Sequence, residues 1–222
     1  MDAKVKKAFD AGIQLYAKVD GIDAAALETA LQEAFDKEAS FMDKVQALDA
    51  AFDDHLRFEQ LREIYFDLLM VNFFTEDVQK LEEDYLDSPE WEAIEEETID
   101  RGTELLNMFL YLKECDDDDI EPSLDDYLKE FLLVEEDEFQ DEYIIYEKVI
   151  ANQILVDSTY AEISKVASSL TPEDELKELF YPMMAFFNEP QPSAAQLDEF
   201  MEASTDKPLD GAIYQIIVNF NK

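Results

Sequence analysis

Ile213-Tyr214-Gln215-Ile216-Ile217-Val218 is the stretch on which the fold turns. Its β-branched residues suit a strand, and a strand here would demand a partner elsewhere in the chain. No partner is evident. Only four glycines occur (Gly12, Gly21, Gly102, Gly211), so the punctuation for many tight hairpins is missing. Most prolines sit where helices start, and with Pro208 in that role the segment Pro208 to Phe220 reads as the last helix of an all-α protein.

Working outward, apolar residues recur at helical spacing. Val5, Phe9, Ile13 and Tyr16 make a stripe that ends at Asp20-Gly21, and Asp23 caps a second helix running to about Lys37. Ser40 with Asp43 resembles a capping box, opening a stretch through Phe52, Leu56, Leu61, Tyr65, Leu68 and Phe73 that is one helix or two. Thr75 is read as the cap of a short helix to about Leu86. Ser88-Pro89-Glu90 is a strong start, after which Trp91, Ile94, Thr98, Leu105, Phe109 and Leu112 fall roughly on one face. Ser123 with Asp126 opens another helix, and Tyr143, Tyr146, Ile150 and Ile154 form a later stripe. Thr171-Pro172-Glu173-Asp174 repeats the start signature, Asn188 to Pro192 is a linker, and Ser193 with Gln196 is a further box. The expectation is an irregular bundle of eight to ten helices. Residues 1–222 form one domain, with an alternative division into 1–115 and 123–222 at an acidic loop, 116–122.

Charge is unevenly placed. Residues 76–147 carry twenty-nine carboxylates against four bases (Lys80, Arg101, Lys113, Lys129), which is −25 of the chain's −39. Residues 1–40 hold five lysines and eight acids and are nearly balanced, so salt adaptation spread over the whole surface is a weak explanation. An acidic potential of this size repels nucleic acid and anionic membranes and speeds encounter with basic proteins. The longest apolar candidate, Ile64 to Phe74, is broken by Asp67 and Asn72, so no transmembrane segment is expected. The N-terminus lacks an apolar leader core and Cys115 is the sole cysteine, both of which point to the cytoplasm.

Residue scarcity excludes several chemistries. His55 is the only histidine, which removes ferritin-like di-metal and His-rich zinc sites. No Gly-x-Ser-x-Gly elbow, P-loop or Gly-x-Gly-x-x-Gly exists. Calcium is the best metal idea, but neither EF-hand register works: a loop starting at Asp119 puts Leu124 where glycine is needed, and one starting at Asp117 ends on Leu128. Cys115 beside four aspartates is a poor nucleophile, and His55 reads as an ordinary surface histidine on a helix. The chain is expected to be no enzyme and to need no cofactor.

The acidic belt therefore carries the functional reading, with solvated helix faces as its bland alternative. Its expected docking residues are Glu95, Glu96, Glu97, Asp116, Asp117, Asp118, Asp119, Glu135, Glu136, Asp137 and Glu138. Tyr85, Trp91, Tyr127, Phe139 and Tyr143 are candidate anchors. The partner would be a basic protein, met either by imitating nucleic-acid phosphates or in an inhibitor or immunity role. The alternative is a helical scaffold that binds through an apolar groove.

Overall fold

The computed structural model describes residues 1–76, 78–81, 83–131 and 139–222. They contain thirteen α-helices and no strand: α1 (Ala3–Asp20), α2 (Ala25–Asp36), α3 (Phe41–Asp53), α4 (Arg62–Glu76), α5 (Glu83–Leu86), α6 (Pro89–Thr98), α7 (Leu105–Asp117), α8 (Leu124–Phe131), α9 (Phe139–Ala151), α10 (Tyr160–Ala167), α11 (Phe180–Asn188), α12 (Ala194–Ala203) and α13 (Lys207–Phe220). Short 3₁₀ turns occupy Leu56–Leu61, Val78–Leu81 and Gln153–Asp157.

The ambiguous isoleucine-rich stretch is helical. α13 buries ten residues from Leu209 to Phe220 and packs along α1, the most extensive helix pair in the fold. Gly12 is what lets them close: a Cβ there would come within 2.5 Å of the Ile216 side chain. α4 lies beside this pair and is buried nearly all round, from Ile64 through Phe74, as expected of a helix without a polar face. The Asp67 and Asn72 that interrupt its apolar run are satisfied internally. Asn72 accepts from the Asp2 amide at 2.8 Å, and Asp67 accepts from Thr103. Rings then fill the interior: Phe9 meets Phe35 and Tyr65 edge-on, and Phe200 stacks between Tyr181 and Tyr214 at 4.6 and 4.3 Å. Buried apolar side chains from Val5 to Phe220 make one continuous cluster.

Helices outnumber the expected eight to ten because several apolar stripes are cut by local backbone chemistry. The stretch after Ser40 breaks at His55, where the chain tightens into a 3₁₀ turn before α4. The stripe from Trp91 to Leu112 is two helices, because Gly102 at φ 82° turns the chain and a Cβ there would strike Asp67. Thr75 is no cap: it lies in the last turn of α4 and its hydroxyl donates to the Asn72 carbonyl. Thr171-Pro172 starts only a string of tight turns through Leu179, held by Asp174 on the Thr171 amide, and α11 begins at Phe180. Ser40, Ser88, Ser123 and Ser193 do cap as the sequence implies, and Thr159 with Glu162 adds a capping box that the apolar pattern does not announce.

Candidate functional site

α6 starts at Ser88, whose hydroxyl accepts from the Trp91 amide, with Pro89 in its first turn. Ile94 and Thr98 face inward, and Trp91 packs on Phe74 and Tyr85 at the edge of the core. That orientation sends Glu95, Glu96 and Glu97 to solvent, beside Ile99, which is 78 % exposed.

The acidic loop expected at 116–122 is shorter than composition suggests, since Asp116 and Asp117 are helical and only 118–122 is turn and irregular chain. α7 continues to Asp117 because buried Cys115 anchors its last turn, and the remaining residues close it in a Schellman cap. The Ile120 amide donates to the Cys115 carbonyl at 2.9 Å and the Asp119 amide to Asp116 at 3.3 Å, with Asp119 at φ 56° in the left-handed position usually held by glycine. Four acids thus crowd the end of a helix where the backbone dipole is already negative. Asp116 meets Lys4 of α1 at 2.8 Å and Asp117 meets Lys113 at 3.1 Å, whereas among the described residues Asp118 and Asp119 face no base. Glu135, Glu136, Asp137 and Glu138 lie outside the described residues.

α8 joins this end of α7, bringing in Asp126 and Glu130, which sequence reading does not count among the docking residues. Burial pushes the Glu130 carboxyl up, and a hydrogen bond to Glu114 together with the charges of Glu114, Asp118 and Asp126 pushes it further. Asp126 moves the other way, lowered by the Ser123 hydroxyl and Lys129. The only signal for this grouping was the hairpin that Ser123 sets up, since Glu114 and Glu130 are sixteen positions apart. Cys115 is raised by burial first, with Glu130, Glu114 and Asp126 adding to it, so its protection comes mainly from packing and not from the adjoining aspartates.

Each of the region's four bases has a partner within the protein. Lys80 sits over the Phe73 ring at 3.7 Å, Lys113 holds Asp117, and Lys129 pairs with Asp125 and Asp126. Arg101 is the most committed. It grips Asp49 of α3 with both terminal nitrogens at 3.1 and 2.9 Å and Glu63 of α4 through Nε, while the Gly102 amide donates to Glu63 and Thr103 donates twice to Asp67. This lattice ties the connection 99–104 to the core. Burial raises Asp67 well above the ordinary carboxylate range, against the pull of the Thr103 bonds.

Of the expected anchors, Tyr127 is ruled out. It is fully buried, its hydroxyl 2.7 Å from that of Tyr146, which in turn donates to Glu104 at 2.6 Å. Tyr143 is 41 % exposed, and Trp91 is half-buried. His55 sits ahead of a 3₁₀ turn with its Nδ1 2.8 Å from the Ala51 carbonyl, and Glu59 pairs with Arg62 instead of with it.

Among the described residues no group of three or more His, Cys, Asp or Glu side chains is arranged to hold a metal ion, and no helix is long and apolar enough to cross a membrane. Fold and surface together define an all-α protein with an excess of unpaired acid on its middle helices. Compared with protein-family models, curated proteins and solved structures, the chain matches none.

Proposed function

We propose that this is a non-enzymatic binding protein that docks a basic protein through the acidic residues of its middle helices. The observation that carries the reading is that Lys80, Arg101, Lys113 and Lys129 are each taken by other groups, so that among the described residues Glu95, Glu96, Glu97, Asp118 and Asp119 pair with no base. Solubility requires far less charge than this, and placing Asp118 and Asp119 at a helix C-terminus costs stability. A basic surface would relieve both the helix-end repulsion and the crowding around Glu130. Complementary potentials give fast association that weakens with salt, because exposed charges are screened beyond about 10 Å at 0.1 M. Asp118 and Asp119 at the tip, Glu95 to Glu97 on α6, and the acids of 135–138 are the docking residues, with Ile99 and Tyr143 as apolar contacts. Such a surface serves a nucleic-acid mimic or an inhibitor of a cationic protein equally well.

Capture from lysate at low and high salt tests it. A basic protein retained at low salt and released at high salt is expected, and a variant with Glu95, Glu96, Glu135 and Glu136 changed to lysine should associate more slowly while remaining folded. No basic protein retained at low salt, or unchanged association in the variant, would reject the reading.

A further inference from the structure

The turn after α1 and the junction after α3 leave a groove of about 580 Å³ between them, far in sequence from the acidic helices. Ile22, Leu56 and Phe58 give it apolar walls, and Asp23, Asp53 and Asp54 stand at its margin. Leu56 is 71 % exposed, so its side chain gains almost nothing from folding. From Asp54 a furrow of about 480 Å³ continues between α2 and α3, floored by Ala30 and Ala34 on one side and Ala47, Ala50 and Ala51 on the other. Alanines at these i, i+3 and i+4 positions lower the ridge on both helices, which makes room for the side chains of a third helix lying along them.

Charge decides what kind of helix that is. Arg57, the base at the groove, is taken by Asp20 at 2.7 Å, and Asp53 is taken by Arg62 at 2.6 Å. Among the described residues, Asp23, Glu33 and Asp54 have no cationic partner, and the furrow's own base, Lys37, reaches the Asp43 carbonyl at 3.5 Å. We infer that the groove is a second docking surface, taking an amphipathic helix whose apolar residues cover Leu56 and the alanines and whose Lys or Arg residues meet Asp23, Glu33 and Asp54. The recognition is that of a helix in a groove. No residue between 76 and 147 takes part, so this surface stands or falls separately from the acidic one.

A labelled 18-residue peptide with leucines at i, i+3, i+4 and i+7 and lysines on both flanks is the probe, titrated into the full chain at 150 mM salt and followed by fluorescence anisotropy. Saturable one-to-one binding is expected, at least tenfold tighter than that of a scrambled peptide of equal composition. Leu56→Asp should weaken it at least tenfold even though the change adds negative charge, and Asp54→Lys should weaken it similarly. Both positions are exposed, and circular dichroism will show whether the fold is kept. Glu95→Lys with Glu96→Lys should leave binding unchanged. Equal binding of the scrambled peptide, or indifference to Leu56→Asp, would overturn the proposal and leave only general acidic attraction. A dimer of the chain that Leu56→Asp abolishes would also overturn it, assigning the groove to a second copy.

Discussion

Helices α4 and α6 are close in sequence yet opposite in construction. α4 is surrounded, with even its aspartate and asparagine buried and hydrogen-bonded, whereas α6 buries only Ile94 and Thr98 and turns the rest of its surface outward. α6 is fastened to the core by a few ties, Trp91 on Phe74 and, through the connection that follows it, Arg101 on Asp49 and Glu63 and Thr103 on Asp67, whereas α7 packs its apolar face from Leu105 to Cys115 into the core. On α6, charge that opposes compaction sits where little packing is at stake.

The contrast breaks most visibly at the aromatic contacts. Phe9→Ala in the core should cost about 3–5 kcal/mol in urea unfolding, and Trp91→Ala less than half as much; equal losses would mean that α6 belongs to the same cooperative core. Asp210 sharpens it through pH. Burial raises this carboxyl to about 6, against the pull of bonds from Ser204 and the Asp206 amide. Because the folded value exceeds the unfolded one, its contribution is complete below about pH 4 and disappears as pH climbs to about 6. Asp210→Asn should consequently be more stable than the parent at pH 7 by up to about 3 kcal/mol, from two pH units at ~1.4 kcal/mol each, and no more stable at pH 4. A thermal melt series across pH reads this directly.

Thr103→Val tests the tie between the regions. It strips the buried Asp67 of its hydroxyl donor and should cost about 1–3 kcal/mol, with earlier loss of hydrogen-exchange protection in α6 and α7 than in α1. Asp119→Gly relieves a left-handed aspartate and should stabilise by about 0.5–1 kcal/mol. The smallest change is Glu96→Lys, which replaces repulsion from Glu92 with attraction, worth a gain of about 0.5 kcal/mol or less; a loss would show that Glu96 makes contacts the α6 surface does not display.

The all-α class was legible because serine caps and apolar spacing are local signals, and Ser88-Pro89 or Ser193-Gln196 act within one turn. The last helix was settled by what was missing, a partner strand for Ile213 to Val218. What stayed hidden depended on distance. Nothing near Arg101 announces Asp49 and Glu63, and Asp67 looked like an interruption of an apolar run although it is the acceptor that holds Thr103. Asp116 and Asp117 looked unpaired until the fold brought Lys4 to the one and the helix aligned Lys113 with the other. The aspartate run read as irregular because helix propensity is poor there, while the burial of Cys115 outweighs it.

The pairing of Gly12 with Ile216 also sets a schedule for synthesis. Roughly 200 residues separate the two, so at ~5–20 residues per second the first helix waits about 10–40 s for its mate. During that interval Phe9 can already meet Phe35 and Tyr65, but the strip of α1 around Gly12 that α13 will cover stays open, which makes the nascent N-terminal third a natural client for chaperones.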